Sequence, residues 1–157
     1  MATALPITGE MMKIKSLGHV VVRVTDAERA EAFYNGLLGL PVCARLDERG
    51  TKMTFFTLGD HHNFAVMEVS GEGSSHAETA TGLHHVAFKI GDDIGQLREA
   101  KAKLDAAGVA LRPVDHEVTK SLYLEDPDGN GVELYVDASD VWRSEPQRVA
   151  QLRPLEL

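Results

Sequence analysis

Apolar and polar positions alternate through LGHVVVRVTD, residues 17–26, with Val20, Val22 and Val24 on one side and His19, Val21 and Arg23 on the other. A period of two is that of a half-buried strand, and the all-valine side is its core face. The period then changes. Thr25-Asp26-Ala27-Glu28 has the form of a capping box, and Ala30, Phe33 and Leu37 recur at helical spacing until Gly39 and Pro41 end the helix. Strands are expected next over residues 41–47, 51–59 and 62–70, separated by the turn-forming DERG and LGD. The unit is βαβββ.

After SGEGSSHAETATG the same order begins again with LHHVAFKIGD at residues 83–92, close to a copy of the first strand. A strand is expected over 84–90, then a helix in which Ile94, Leu97, Lys101 and Leu104 keep helical spacing up to Gly108. Strands near 110–114, 118–125 and 131–137 follow, the last two joined by the turn Asp126-Pro127-Asp128-Gly129. Two copies of roughly 65 residues are too long and too few for a solenoid. The pattern predicts an α+β fold in which two βαβββ modules, residues 14–70 and 83–137, form a single domain over 14–137. Residues 138–157 form a tail whose Trp142, Val149, Leu152 and Leu155 are expected to pack on the body or on a neighbouring subunit.

Composition narrows the partners. The chain has 157 residues, 43% apolar and 25% charged, enough for a real core. Sixteen basic against 24 acidic side chains give −8, which repels phosphate backbones and anionic lipid, so neither nucleic acid nor a membrane surface is expected. Cys43 is the only cysteine, which points to a reducing compartment. MATALPITGEMMKIK lacks an apolar signal core and no run approaches the roughly 20 apolar residues of a bilayer span, so the expected location is the cytoplasm.

The repeat aligns His19 with His85 at the start of each module, each followed by five strand residues and a turn ending in Asp. Glu68 in FAVMEVS and Glu133 in GVELYVD fall on the last strand of each, 49 residues after His19 and 48 after His85. A carboxylate between Val132 and Leu134 is costly to bury without a positive partner, and a divalent ion is one. Taken singly, these histidines read as rim residues satisfied by carbonyls and the glutamates as solvated charges. Their recurrence at symmetry-related positions favours a metal site.

These residues also carry a family likeness. HVVVRVTD, ERAEAFYNGLLGL, HHNFAVMEV, LHHVAFKI and DHEVTKSLYLEDPDGNGVELYVD resemble the vicinal oxygen chelate superfamily of glyoxalases, bleomycin resistance proteins and extradiol dioxygenases, over residues 14–137. Its paired modules curl into a cup-shaped, mostly antiparallel open barrel around a divalent metal. The likeness is greatest to the catalytic half of type I extradiol ring-cleavage dioxygenases. It implies His19, His85 and Glu133 as metal ligands, His62 of HHNFAV as acid–base group, Tyr123 as active-site tyrosine and His116 as a histidine that holds substrate oxygen. It implies Fe(II), with Mn(II), Zn(II) or Ni(II) as the other ions, and as substrates a small aromatic diol and dioxygen. The non-catalytic half of such enzymes has no counterpart, which leaves apolar surface and strand edges and implies a homodimer, with modules pairing within a chain or swapping between subunits. Pocket walls are expected from the faces carrying Val21, Phe55, Phe64 and Phe88 or their neighbours. The second reading is a glyoxalase-like lyase or isomerase in which Glu68 completes a four-ligand His/Glu/His/Glu site. A third is a metal-free small-molecule binding protein, against which the filled ligand positions argue.

Overall fold

The computed structural model describes residues 14–71 and 81–157. In the first module β1 (Val20–Val24) leads into helix α1 (Ala27–Glu31), which runs on as a π-helix (Ala32–Leu37), followed by β2 (Val42–Glu48), β3 (Thr51–Phe56) and β4 (Phe64–Glu68). The second repeats the order as β5 (Val86–Gly91), α2 (Ile94–Ala106), β6 (Arg112–Asp115), β7 (Thr119–Glu125) and β8 (Gly131–Asp137). Two sheets result, ordered β1-β4-β3-β2 and β5-β8-β7-β6-β9, where β9 (Arg153–Pro154) comes from the tail. β1 runs parallel to β4 and β5 parallel to β8, and the remaining pairs are antiparallel. No helix among the described residues is long and apolar enough to cross a membrane.

The expected cap shifts by one residue. Asp26, not Thr25, is the N-cap of α1, its carboxylate accepting from the backbone N–H groups of Glu28 and Arg29. Thr25 serves the other module, as described below. The π-helix also changes the spacing read from the sequence. Leu38 N–H donates to the carbonyl of Phe33, five residues back, and this wider turn brings consecutive side chains, Phe33 and Tyr34, into the core together.

Residues Val20, Val22 and Val24 face the helices, as do their register partners Phe64, Val66 and Glu68. In the second sheet Val86 and Phe88 share that side with Val132 and Leu134. The two inner faces merge into one core, joined by the edge-on contact of Phe64 with Phe88, ring centres 5.5 Å apart. Phe64 and Phe88 are therefore core residues, 1% and 7% exposed, and not pocket walls. Val21 and Phe55, of the opposite parity, belong to the open face.

A polar clamp fixes the modules against each other. The turn between β7 and β8 is organised by Asp126, whose carboxylate accepts from the backbone N–H groups of Asp128 and Asn130. Its other oxygen accepts from the Tyr34 hydroxyl at 2.9 Å, and Asn130 donates to the Arg23 carbonyl at 3.1 Å. Asp128 accepts from the Thr25 hydroxyl and backbone N–H and from the Arg29 guanidinium. Burial alone would raise the Asp128 carboxyl, but these donors win and hold it below its ordinary 3.8.

The tail packs through Leu155 and Leu157 against the core and through β9 along β6. Trp142, Val149 and Leu152 stay largely exposed.

Candidate metal centre

On the open face of the second sheet, Glu133 of β8 is flanked by Ala87 of β5 and Tyr123 of β7. Its parity opposes that of Val132 and Leu134, so the strand that anchors the core with one set of residues presents a carboxylate with the other. Glu133 is only 7% exposed. Its Oε2 lies 3.0 Å from Nε2 of His85, just ahead of β5. Gly131 permits the approach: a Cβ there would fall 2.2 Å from the His84 carbonyl oxygen and 3.1 Å from the His85 Cβ. His84 and His85 touch through their Nδ1 atoms at 2.7 Å.

Tyr123 completes this cluster. Its ring meets His85 edge-on with centres 5.3 Å apart, and the Arg112 guanidinium stacks over it at 4.8 Å. The phenol is pushed up to about 12, by burial first, then by the charge of Glu133 and a hydrogen bond to it, against a lowering by Arg112. The hydroxyl also lies 2.9 Å from His116 Nε2. The phenol, with one hydrogen to give, thus lies between Glu133 and His116. A cleft of about 1050 Å³ borders this cluster at His84, His85, Arg112 and Tyr123, and Glu133 and His116 are not part of its lining.

The first sheet carries a separate cluster. The rings of His19 and His62 lie tilted at 38° with centres 4.3 Å apart, His62 meets Phe55 edge-on, and His61 touches His62 through Nδ1 atoms 2.9 Å apart. Loss of hydration pushes the His62 ring below its ordinary 6.5, and the neighbouring His19 and His61 add to this. Both effects favour the uncharged imidazole.

Glu68 lies elsewhere. It pairs in register with Val24 on the helix side of the sheet, where its Oε2 accepts the Ala27 backbone N–H at 2.8 Å and lies 3.9 Å from Lys52. The cause is the strand register, in which Glu68 lies three positions beyond the residue that matches Glu133, and an odd number of steps along a strand exchanges its faces. With His19 aligned to His85, Val21 matches Ala87, so the residue matching Glu133 is Val21's partner, Ala65. The fourth position expected for Glu68 is held by an alanine.

The fit to a divalent ion can be judged from the donors. An ion bound about 2.1 Å from an imidazole nitrogen and a carboxylate oxygen in neighbouring positions places those atoms about 3 Å apart. His85 Nε2 and Glu133 Oε2 have that separation. Yet among the described residues no three His, Cys, Asp or Glu side chains gather as a ligand set, and His19 stands with His62 apart from the His85–Glu133 pair. Of the three residues expected as ligands, one chain brings His85 and Glu133 together and leaves His19 on its other sheet.

Residues 16–134 match the family model described as the Glyoxalase/Bleomycin resistance protein/Dioxygenase superfamily. The chain belongs to this superfamily. It is 31% identical to a catechol-2,3-dioxygenase of Bacillus subtilis over 77% of this chain and 41% of that protein. To biphenyl-2,3-diol 1,2-dioxygenase 2 of Rhodococcus globerulus it is 31% identical over 81% of this chain and 65% of the relative. The chain thus spans roughly half of the length of these superfamily relatives. A solved glyoxylase/bleomycin resistance protein/dioxygenase domain from Frankia sp. superposes with a TM-score of 0.68 at 21% identity, covering 80% of this chain and all of that one, and supports the cup-shaped βαβββ fold. Other superfamily relatives are named as probable lactoylglutathione lyases and as epimerases, so membership alone fixes the fold and not the reaction.

Proposed function

We propose that this protein is an extradiol ring-cleavage dioxygenase acting on a small aromatic diol, with a metal centre built from two copies of the chain. In this reading His19 of one subunit joins His85 and Glu133 of the partner subunit. The strand register carries the proposal. Ala65 at the position matching Glu133 leaves two imidazoles and one carboxylate, a facial set for Fe(II), and not the four ligands of a lyase-type centre. When bound, such an iron would bring diol and dioxygen together and pass electron density between them.

The chain's own groups then have distinct tasks. His62, beside His19, takes a proton from the diol and returns it later. Tyr123 and His116 hold a substrate oxygen from the opposite sheet, and the cleft that Tyr123 lines has the size of a small-molecule site.

The free strand margins support assembly by a second copy. β1 and β5 each end a sheet with one hydrogen-bonded neighbour, and His19 and His85 lie at their starts. Leu17, Val21 and Leu83, along or just ahead of these strands, are all more than 40% exposed. A partner placing its β5 beside β1 covers these residues and brings the ligands together.

The test is anaerobic loading with Fe(II) followed by a screen of catechols for oxygen uptake and a yellow ring-fission product. Uptake that disappears in Glu133→Ala is expected. A metal-loaded protein that consumes no oxygen with any catechol would reject the dioxygenase reading.

A further inference from the structure

Three consecutive residues at the β6–β7 turn are each held by the tail. Asp115 pairs in register with Arg153, the His116 Nδ1 lies 2.7 Å from the Gln151 carbonyl oxygen, and the Glu117 carboxylate is paired with Arg148. Glu117 sits at φ +67°, a left-handed conformation uncommon for this residue type, and its N–H donates to Asp115 at 2.6 Å. Leu155 and Leu157 anchor the far end on the core. The tail is thus a strap drawn across this turn, and its contact with His116 is through backbone.

That contact has a chemical consequence. A carbonyl oxygen can only accept, so Nδ1 of His116 carries a hydrogen, and the neutral ring presents Nε2 as an acceptor. Nε2 lies 2.9 Å from the Tyr123 hydroxyl. The phenol has one hydrogen, and its cross-strand neighbour Glu133 competes for it. We propose that the C-terminal strap is the positioning element for Tyr123: the Gln151 carbonyl fixes His116 as its Nδ1-protonated tautomer, which turns the phenol hydrogen to Nε2. Glu133 is then left with both oxygens free to face His85. The importance of this for turnover rests on the reading given under Proposed function, but the tautomer itself does not.

The experiment is long-range proton–nitrogen correlation NMR on metal-free protein labelled with ¹⁵N-histidine, at a pH where the ring is neutral, with His116→Gln assigning the signal. The intact chain should show Nδ1 protonated and Nε2 bare. Two variants weaken the carbonyl contact. One ends the chain at Ala150; the other replaces the Gln151–Leu152 amide by an ester, which makes the Gln151 carbonyl a poorer acceptor and keeps every side chain. In both, the Nε2-protonated form, which free histidine favours, should rise, becoming the majority in the shortened chain. If the shortened chain does not fold, the ester chain decides. A bare Nδ1 in the intact chain, or unchanged tautomer populations in the folded variants, would overturn the proposal. Because no metal, diol or oxygen is present, failure here leaves the dioxygenase reading standing, and the converse also holds.

Discussion

Glu133 and Glu68 are the same residue type on corresponding strands, and their surroundings set them apart. Glu133 is nearly buried beside His85, whereas Glu68 is a helix-capping carboxylate that satisfies the first N–H of α1. Glu133→Ala should abolish metal binding, because neutral imidazoles leave the ion's charge uncompensated. Glu68→Ala should leave bound metal unchanged and cost about 1 kcal/mol, the usual worth of a lost cap. Elemental analysis and urea unfolding check the pair. His62→Asn should keep the metal yet lower turnover by about 10²–10⁴-fold, the typical contribution of a positioned acid–base group. Steady-state rates on an accepted catechol test this, and full activity in that variant would remove His62 from the mechanism. At this scale the sequence revealed residue types but not faces. The near-equal spacings of the two glutamates concealed a three-residue offset in strand register, which only the strand pairing resolves.

The elements place these side chains, and glycine and the clamp do so most directly. Gly131→Ala puts a methyl group onto the His84 carbonyl and must displace the backbone that carries His85. It should weaken metal affinity at least tenfold while the fold persists, as titration with a metal indicator and circular dichroism would show. Asp128 holds β1 and α1 against the β7–β8 turn. Asp128→Asn should therefore destabilise the protein by about 1–2 kcal/mol at neutral pH, after allowance for the half-exposed Arg29 partner. The native carboxyl is held below its ordinary value, so its stabilisation is present above pH 3.8 and is lost as pH falls through the lower native value. The difference between wild type and variant, measured by denaturation at several pH values, should shrink toward zero under acid conditions. A constant difference would show that the charge is not the cause. Both helices and all eight strands of the repeat could be read from periodicity, because a half-buried strand and an amphipathic helix write their periods into the chain. The π-helix and the clamp could not. The first depends on the pull of the core on Phe33 and Tyr34 together, and the second joins Thr25 to Asp128 across 103 residues behind what reads locally as an ordinary turn.

At the scale of the whole molecule, the repeat places His19 on one sheet and the His85–Glu133 pair on the other. Each module is one sheet with an open face, and the proposed centre needs a face from each. A complete centre therefore requires two copies to meet, and subunit mixing tests this most directly. His19→Ala spoils only the first module and Glu133→Ala only the second, so neither variant alone forms a complete site. In a mixed dimer the intact first module of one chain meets the intact second module of the other, giving one complete site of two. After dissociation, equal mixing and reassociation, half of the dimers are mixed, and anaerobic Fe(II) loading should recover about a quarter of the wild-type metal. Metal that remains absent from verified mixed dimers, or wild-type chains that bind it fully as monomers, would contradict a centre shared between subunits.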